Sequence, residues 1–145
     1  MRRQKRDTLR FLIDTNVLIS ALKNPGGETL KLLAGLIEDQ SITLVGNDLL
    51  VEEYLKYAKA FKSETVFWIV SALLDRMKLV NVGEGHIRAC KPHIKTPDRV
   101  DILHAAACLK AGAILITNDR HFNKIRAAGI IEVWGISKAL DEIGG

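Results

Sequence analysis

Residues 12–22 read LIDTNVLISAL, a short apolar run that stops on Asp14 and resumes at Val17 with no turn signal between. A run this brief, followed at once by apolar residues at helical spacing, describes a buried strand feeding directly into a helix. The acid at the junction then has two readings. It caps the helix, or it belongs to a group of acids whose other members lie elsewhere in the chain.

The construction recurs. In AILITNDRHF, residues 113–122, an apolar strand over Ala113–Thr117 runs into Asp119 in the same way. Working outward from these two junctions, the pattern predicts a strand over 9–13 and a helix over 16–22, then Asn24-Pro25-Gly26-Gly27 as punctuation. Leu30, Leu33 and Ile37 recur at helical spacing and predict a helix over 28–38. A strand over 42–45 and a helix over 48–60 follow. Val66, Ile69, Val70, Leu73, Leu74 and Met77 form a helical stripe. Phe67 and Trp68 flank it, so this helix is apolar on more than one face and could serve both the core and a partner subunit.

Further along, 79–82 predicts a third strand and 84–90 a short helix. Thr96-Pro97-Asp98 opens the next helix in favoured order, with a capping hydroxyl, a proline in the first turn and an acid against the helix dipole. That helix runs to Ala111 and stops at Gly112. A helix over 120–128, an edge strand over 131–133 and a last short helix capped by Ser137 complete the chain. Short strands alternating with helices predict an α/β fold with a mainly parallel sheet.

Length and charge narrow the function classes. At 145 residues the chain matches one domain, with a basic arm over 1–8 and the folded domain over 9–145. Residues 1–10 carry five basic side chains against one acid, Asp7, and the rest of the chain is balanced. The pI near 9.2 therefore belongs to an arm and not to the whole surface. Such an arm is a solvated tail or a phosphate contact. No apolar stretch approaches the roughly 18–20 residues that span a bilayer, and the N-terminus lacks the pattern of a secretory signal. The expected setting is the cytoplasm, with no membrane partner. Cys90 and Cys108 form no C-x-x-C pair, and nothing near Cys90 and His93 completes a metal site, so both are expected to be buried thiols.

The acids carry the chemistry. Asp14 and Asp119 end their strands, and Asp101 sits in the first turns of the helix that leads to the second of them. Glu52 and Glu53 lie on the helix after strand two, in NDLLVEEYLKY. Ligands of open parallel sheets bind at the carboxyl ends of the strands, where the strand order reverses. Asp14 and Asp119 meet there if their strands are neighbours. Carboxylates crowded within about 4–6 Å repel one another, and a divalent cation removes that penalty. Oxygen-only ligation suits Mg²⁺ or Mn²⁺, and such a site suits phosphodiester hydrolysis. Taken singly, Asp14 and Asp119 are equally well explained as helix caps, and one of the two glutamates as a solvated helix position.

FLIDTNVLI, DLLVEEYLKY and DILHAAACLKAGAILITNDRHF together resemble, in order, the acid-bearing segments of PIN domains of the type found in VapC-like toxins and small prokaryotic nucleases. The resemblance implies a three-layer α/β/α sandwich around a parallel sheet, a Mg²⁺ or Mn²⁺ cofactor and endonucleolytic cleavage of RNA. It implies Asp14, Glu53, Asp101 and Asp119 as catalytic metal ligands, with Glu53 preferred to Glu52 because a large side chain, Tyr54, follows it. Asn16 and Thr117 would orient carboxylates or phosphate. Arg120, with Arg99, His121 and Lys124, lies near enough in sequence to meet substrate phosphates. Homodimers are frequent in such proteins, and a protein antitoxin is a partner of the toxins among them. His104 occupies a helix position usually apolar in that family; a buried side chain without a task is the simpler reading, a group supporting the ligands the other. Two rival functions remain: a PIN-like module that binds RNA or assembles without cutting, and a phosphatase-like protein with an aspartyl nucleophile. The second lacks the aspartate two residues after Asp14 that its pattern needs.

Overall fold

A computed structural model describes residues 9–94 and 99–144. Five strands form one sheet in the order β3-β2-β1-β4-β5, every pair parallel. They are β1 (Arg10–Ile13), β2 (Thr43–Gly46), β3 (Met77–Leu79), β4 (Ile114–Ile116) and β5 (Val133–Trp134). Leu12, Ile13 and all of β4 are buried, as expected for strands covered on both faces.

Eight helices among the described residues flank the sheet: α1 (Thr15–Lys23), α2 (Glu28–Glu38), α3 (Asp48–Phe61), α4 (Glu64–Arg76), α5 (Glu84–Cys90), α6 (Arg99–Ala111), α7 (Asn123–Ala127) and α8 (Ile136–Ala139). The connections from β1 to β2 and from β2 to β3 step one way along the sheet, and those from β3 to β4 and β4 to β5 step the other way. Right-handed crossovers therefore put α1–α4 on one face and α5–α7 on the opposite one. The result is the three-layer α/β/α sandwich.

The Ala-rich segment of α6 has a physical reason. Residues 104–108 are all buried, and α6 packs against β1, β2 and β4 at the centre of the sheet. Small side chains let the helix lie close there. Gly112 ends it with a φ of +65°, a left-handed conformation that glycine adopts without a Cβ penalty, and the Ala113 amide bonds back to the Cys108 carbonyl.

Arg76, the last residue of α4, gathers the C-terminal end of α2 and the turn into β2. Its guanidinium donates to the carbonyl oxygens of Leu36, Ile37, Asp39 and Ile42 at 2.5–3.0 Å. The carbonyls of Leu36 and Ile37 are among those that a helix end leaves without internal partners.

Several element boundaries differ from expectation, and for the strands a neighbouring strand sets them. The third strand occupies Met77–Leu79 and not 79–82, since β2 ends at Gly46 and the ladder closes with the Val80 amide on the Gly46 carbonyl. The last strand is Val133–Trp134, aligned on Leu115 and Ile116. The expected helix over 120–128 is a 3₁₀ turn, Arg120–Phe122, followed by α7. Ser137 lies inside α8 instead of capping it; Gly135, extended at φ −77° and ψ 176°, holds the cap position. The basic arm over 1–8 and the Thr96-Pro97-Asp98 cap lie outside the described residues. Both cysteines are buried and free, and burial pushes the Cys90 thiol up to about 11 and Cys108 higher still. Among the described residues no helix is long and apolar enough to cross a membrane.

Candidate active site

β1 and β4 are neighbours, paired through Ile13 and Ile116, and the strand order reverses at β1. Their carboxyl ends deliver Asp14 and Thr117 side by side. Asp14 stands at the N-cap position of α1, yet its carboxylate makes no capping bond. It accepts instead from Thr117 Oγ1 at 2.7 Å. The capping reading of Asp14 therefore fails on geometry.

Thr117 is saturated. A hydroxyl has one proton to give and two lone pairs. Its proton goes to Asp14, and it accepts from Asn16 Nδ2 at 3.3 Å and from the Asp119 amide at 3.0 Å. Asn16 Oδ1 in turn accepts from the Asn118 amide. One buried hydroxyl thus ties the acid after β1 to the acid after β4.

Asp119 does cap. One of its oxygens accepts from the His121 amide at 2.9 Å, closing the 3₁₀ turn. A carboxylate retains further acceptor sites after one such bond. His121 Nδ1 lies 3.1 Å from Asp119 Oδ1 and 3.5 Å from Asp101 Oδ2. Among the described residues, Asp101, Asp119 and His121 each offer a ligand atom within 4.8 Å of the others. The expected oxygen-only set is thereby joined by an imidazole nitrogen.

The fourth acid comes from α3. Tyr54 is buried, and its hydroxyl donates to the Ile13 carbonyl at 2.6 Å, pinning α3 to the end of β1. Glu53, one position earlier, meets Thr15 Oγ1 at 2.6 Å and His104 Nε2 at 3.4 Å, whereas Glu52 points to solvent. The large residue after the acid is thus the anchor that aims it. His104 is buried, as the sequence suggests, but it is engaged with Glu53 on one side and Asn47 on the other. Arg120 and Lys124 are exposed beyond this edge, and Arg99 is exposed at the start of α6.

The electrostatics divide. Burial pushes the Asp14 carboxyl above its ordinary range, against the Thr117 hydrogen bond and the nearby His104, and the Glu53 charge adds to the push. Burial pushes Glu53 up too, but bonds from His104 and Thr15 outweigh it and hold that carboxyl below its usual value. A buried acid with a raised pKa beside a second acid is the situation a cation relieves. The ligand atoms of Asp101, Asp119 and His121, two carboxylates and an imidazole, suit Mg²⁺ or Mn²⁺, and among the described residues Asp14 and Glu53 are not part of that cluster.

Residues 11–128 match the PIN domain family. The chain belongs to that family. The PIN fold appears equally in solved structures. VapBC-1 from nontypeable Haemophilus influenzae is 20% identical with a TM-score of 0.63, over 89% of this chain and 99% of that one. VapBC2 from Rickettsia felis, bound to a DNA fragment from its promoter, is 14% identical with a TM-score of 0.63, over 88% and 98%. PAE2754 from Pyrobaculum aerophilum is 12% identical with a TM-score of 0.59, over 94% and 97%. At such identities these likenesses establish the PIN fold alone. No curated protein matches this chain. PIN domains are a family of nucleases, and the acids described here lie on the elements where the sequence motifs put them.

Proposed function

We propose that this PIN domain is a ribonuclease dependent on Mg²⁺ or Mn²⁺, with Asp14, Glu53, Asp101 and Asp119 as the catalytic acids that hold the ion. The carrying observation is the Thr117 hydroxyl, bonded at once to the Asp14 carboxylate and the Asp119 amide, which keeps acids from two strands together at the reversal of strand order. When bound, the ion activates water and offsets the charge that builds on the phosphate. The protein's own residues supply the geometry. Thr117 and Asn16 hold Asp14 and the turn at Asp119, and Thr15 holds Glu53. Arg99, Arg120 and Lys124 offer positive charge to substrate phosphates beside an acidic edge. His121 bridges Asp101 and Asp119 and is available as a further ligand or as a contact to phosphate.

The same reading extends to a toxin held in check by an antitoxin in the cytoplasm. Support comes from the fold shared with VapBC complexes. Phe67 and Trp68, 58% and 66% exposed on α4, give an apolar face that a second copy of this chain would cover as a homodimer.

The test is cleavage of RNA by the purified chain with Mg²⁺, with Mn²⁺ and with chelator, alongside Asp14→Asn. Cleavage that needs the ion and disappears in the variant is expected. Cleavage that survives the substitution would remove Asp14 from the chemistry, and RNA binding without cleavage under either ion would make the chain a non-catalytic RNA-binding module.

A further inference from the structure

Asn47, His104 and Glu53 form a chain of polar contacts in which Asn47 and the buried His104 have no role assigned above. His104 is 1% exposed, in a helix whose other buried residues are Ile102, the alanines 105–107 and Cys108. A polar side chain left unpaired at such a place is destabilising. Here both ring nitrogens have partners: Asn47 Nδ2 lies 3.1 Å from Nδ1, and Glu53 Oε1 lies 3.4 Å from Nε2.

Neighbouring bonds settle the direction of these contacts. Asn47 is the N-cap of α3, and its Oδ1 accepts from the Leu50 amide at 2.8 Å. The oxygen of that amide is spoken for, so its NH₂ group is the end that faces His104. An NH₂ group can only donate, and Nδ1 must therefore be the bare, accepting nitrogen of the ring. The ring proton then sits on Nε2, aimed at Glu53. Glu53 receives both of its donors, Thr15 Oγ1 and His104 Nε2, on the single oxygen Oε1. Among the described residues, Oε2 takes no hydrogen bond.

We propose that His104 is a positioning residue: locked by Asn47 into one tautomer, it donates Nε2–H to Glu53 Oε1 and so fixes that carboxylate with Oε2 left for the cation. A helix cap, a ring and an acid thereby act as one rigid relay running from the start of α3 into the acidic edge. The proposal rests on the acids being a metal site, and it adds to that reading the group that sets the aim of one ligand. Partners of this kind, standing behind a ligand, are worth roughly 10–100-fold in metal affinity.

Two measurements on the full chain test it. Long-range ¹H–¹⁵N correlation of the metal-free protein should show His104 protonated at Nε2 and bare at Nδ1; an Nδ1–H ring would overturn the proposal. Mn²⁺ binding, followed by the electron paramagnetic resonance of the free ion, should weaken about 10–100-fold in His104→Leu. His104→Gln, which keeps an N–H donor towards Glu53, should recover most of that loss. Asp14→Asn separates this idea from the one beneath it. Unchanged Mn²⁺ binding by Asp14→Asn would sink the metal site itself. Loss of Mn²⁺ by Asp14→Asn, with undiminished binding by His104→Leu, would sink only the role of His104. Should His104→Leu fail to fold, the tautomer of the unaltered protein decides.

Discussion

Thr117 Oγ1 and Asp14 Oδ2 lie 2.7 Å apart although 103 positions separate them in the chain. The contact exists because β1 and β4 are paired, so two residues that each follow a strand arrive at the same edge. With its single proton committed to Asp14, the hydroxyl makes the site sensitive to one substitution in particular. Thr117→Val removes the donor to Asp14 and an acceptor for the Asp119 amide while keeping the shape. It should cost about 2–3 kcal/mol by urea unfolding and depress RNA cleavage strongly, whereas Thr117→Ser retains both.

Asp14 should be worth more to the reaction than to the fold. Its folded pKa is raised, chiefly by burial, so its neutral form is the one the metal-free fold prefers. The stability this gives is present at pH below the ordinary carboxylate value and is lost as pH rises through the raised value. Asp14→Asn keeps an acceptor for Thr117 and carries no charge. At neutral pH the metal-free variant should melt a few degrees above the wild type, about 3–5 °C per kcal/mol gained for a chain of this size. It should also lose cleavage. A lower melting temperature for the variant would contradict the burial argument.

Glu53 titrates in the opposite sense. Its carboxyl is held below the usual range because the bonds from His104 and Thr15 outweigh burial. The stability it contributes is present above the ordinary value and is lost as pH falls through the depressed one. Glu53→Gln should therefore flatten acid unfolding in that window and abolish cleavage. Glu52→Gln, altering an exposed neighbour, should leave both unchanged.

Arg76 supports the fold away from the acids. Four carbonyl oxygens depend on its guanidinium. Arg76→Met keeps the stem and removes all four bonds, at a cost of about 3 kcal/mol measured by denaturant. Mn²⁺ affinity extrapolated to the folded fraction should not move.

The apolar face of α4 predicts an assembly. Phe67 and Trp68 pack edge to face with ring centroids 6.2 Å apart and remain largely exposed. Sedimentation of the purified chain should show a dimer, and Phe67→Ser with Trp68→Ser should give a monomer. A wild-type monomer at high concentration would leave that face without a homodimer to bury it.

What the sequence determined by itself was local and serial. An apolar run ending on an acid, twice, marks strands whose carboxyl ends carry Asp14 and Asp119, because strands and helices each impose their own apolar period. Gly112 stops α6 because a left-handed residue is needed there, whereas the choice of Glu53 over Glu52 was implied only by the resemblance to PIN domains, through the large Tyr54 that follows it. The order of the acids along the chain was itself legible.

Tertiary structure decided what meets what. Pairing of β1 with β4 gave Thr117 to Asp14, and the ends of β2 and β4 set the limits of β3 and β5. That Asn47, the cap of α3, closes its other end on His104 depends on α6 crossing β2. His121 between two acids and Arg76 across four carbonyls are likewise contacts between distant segments. Periodicity reports which way a side chain faces. Only the packed sheet determines which partner, from another part of the chain, is waiting there.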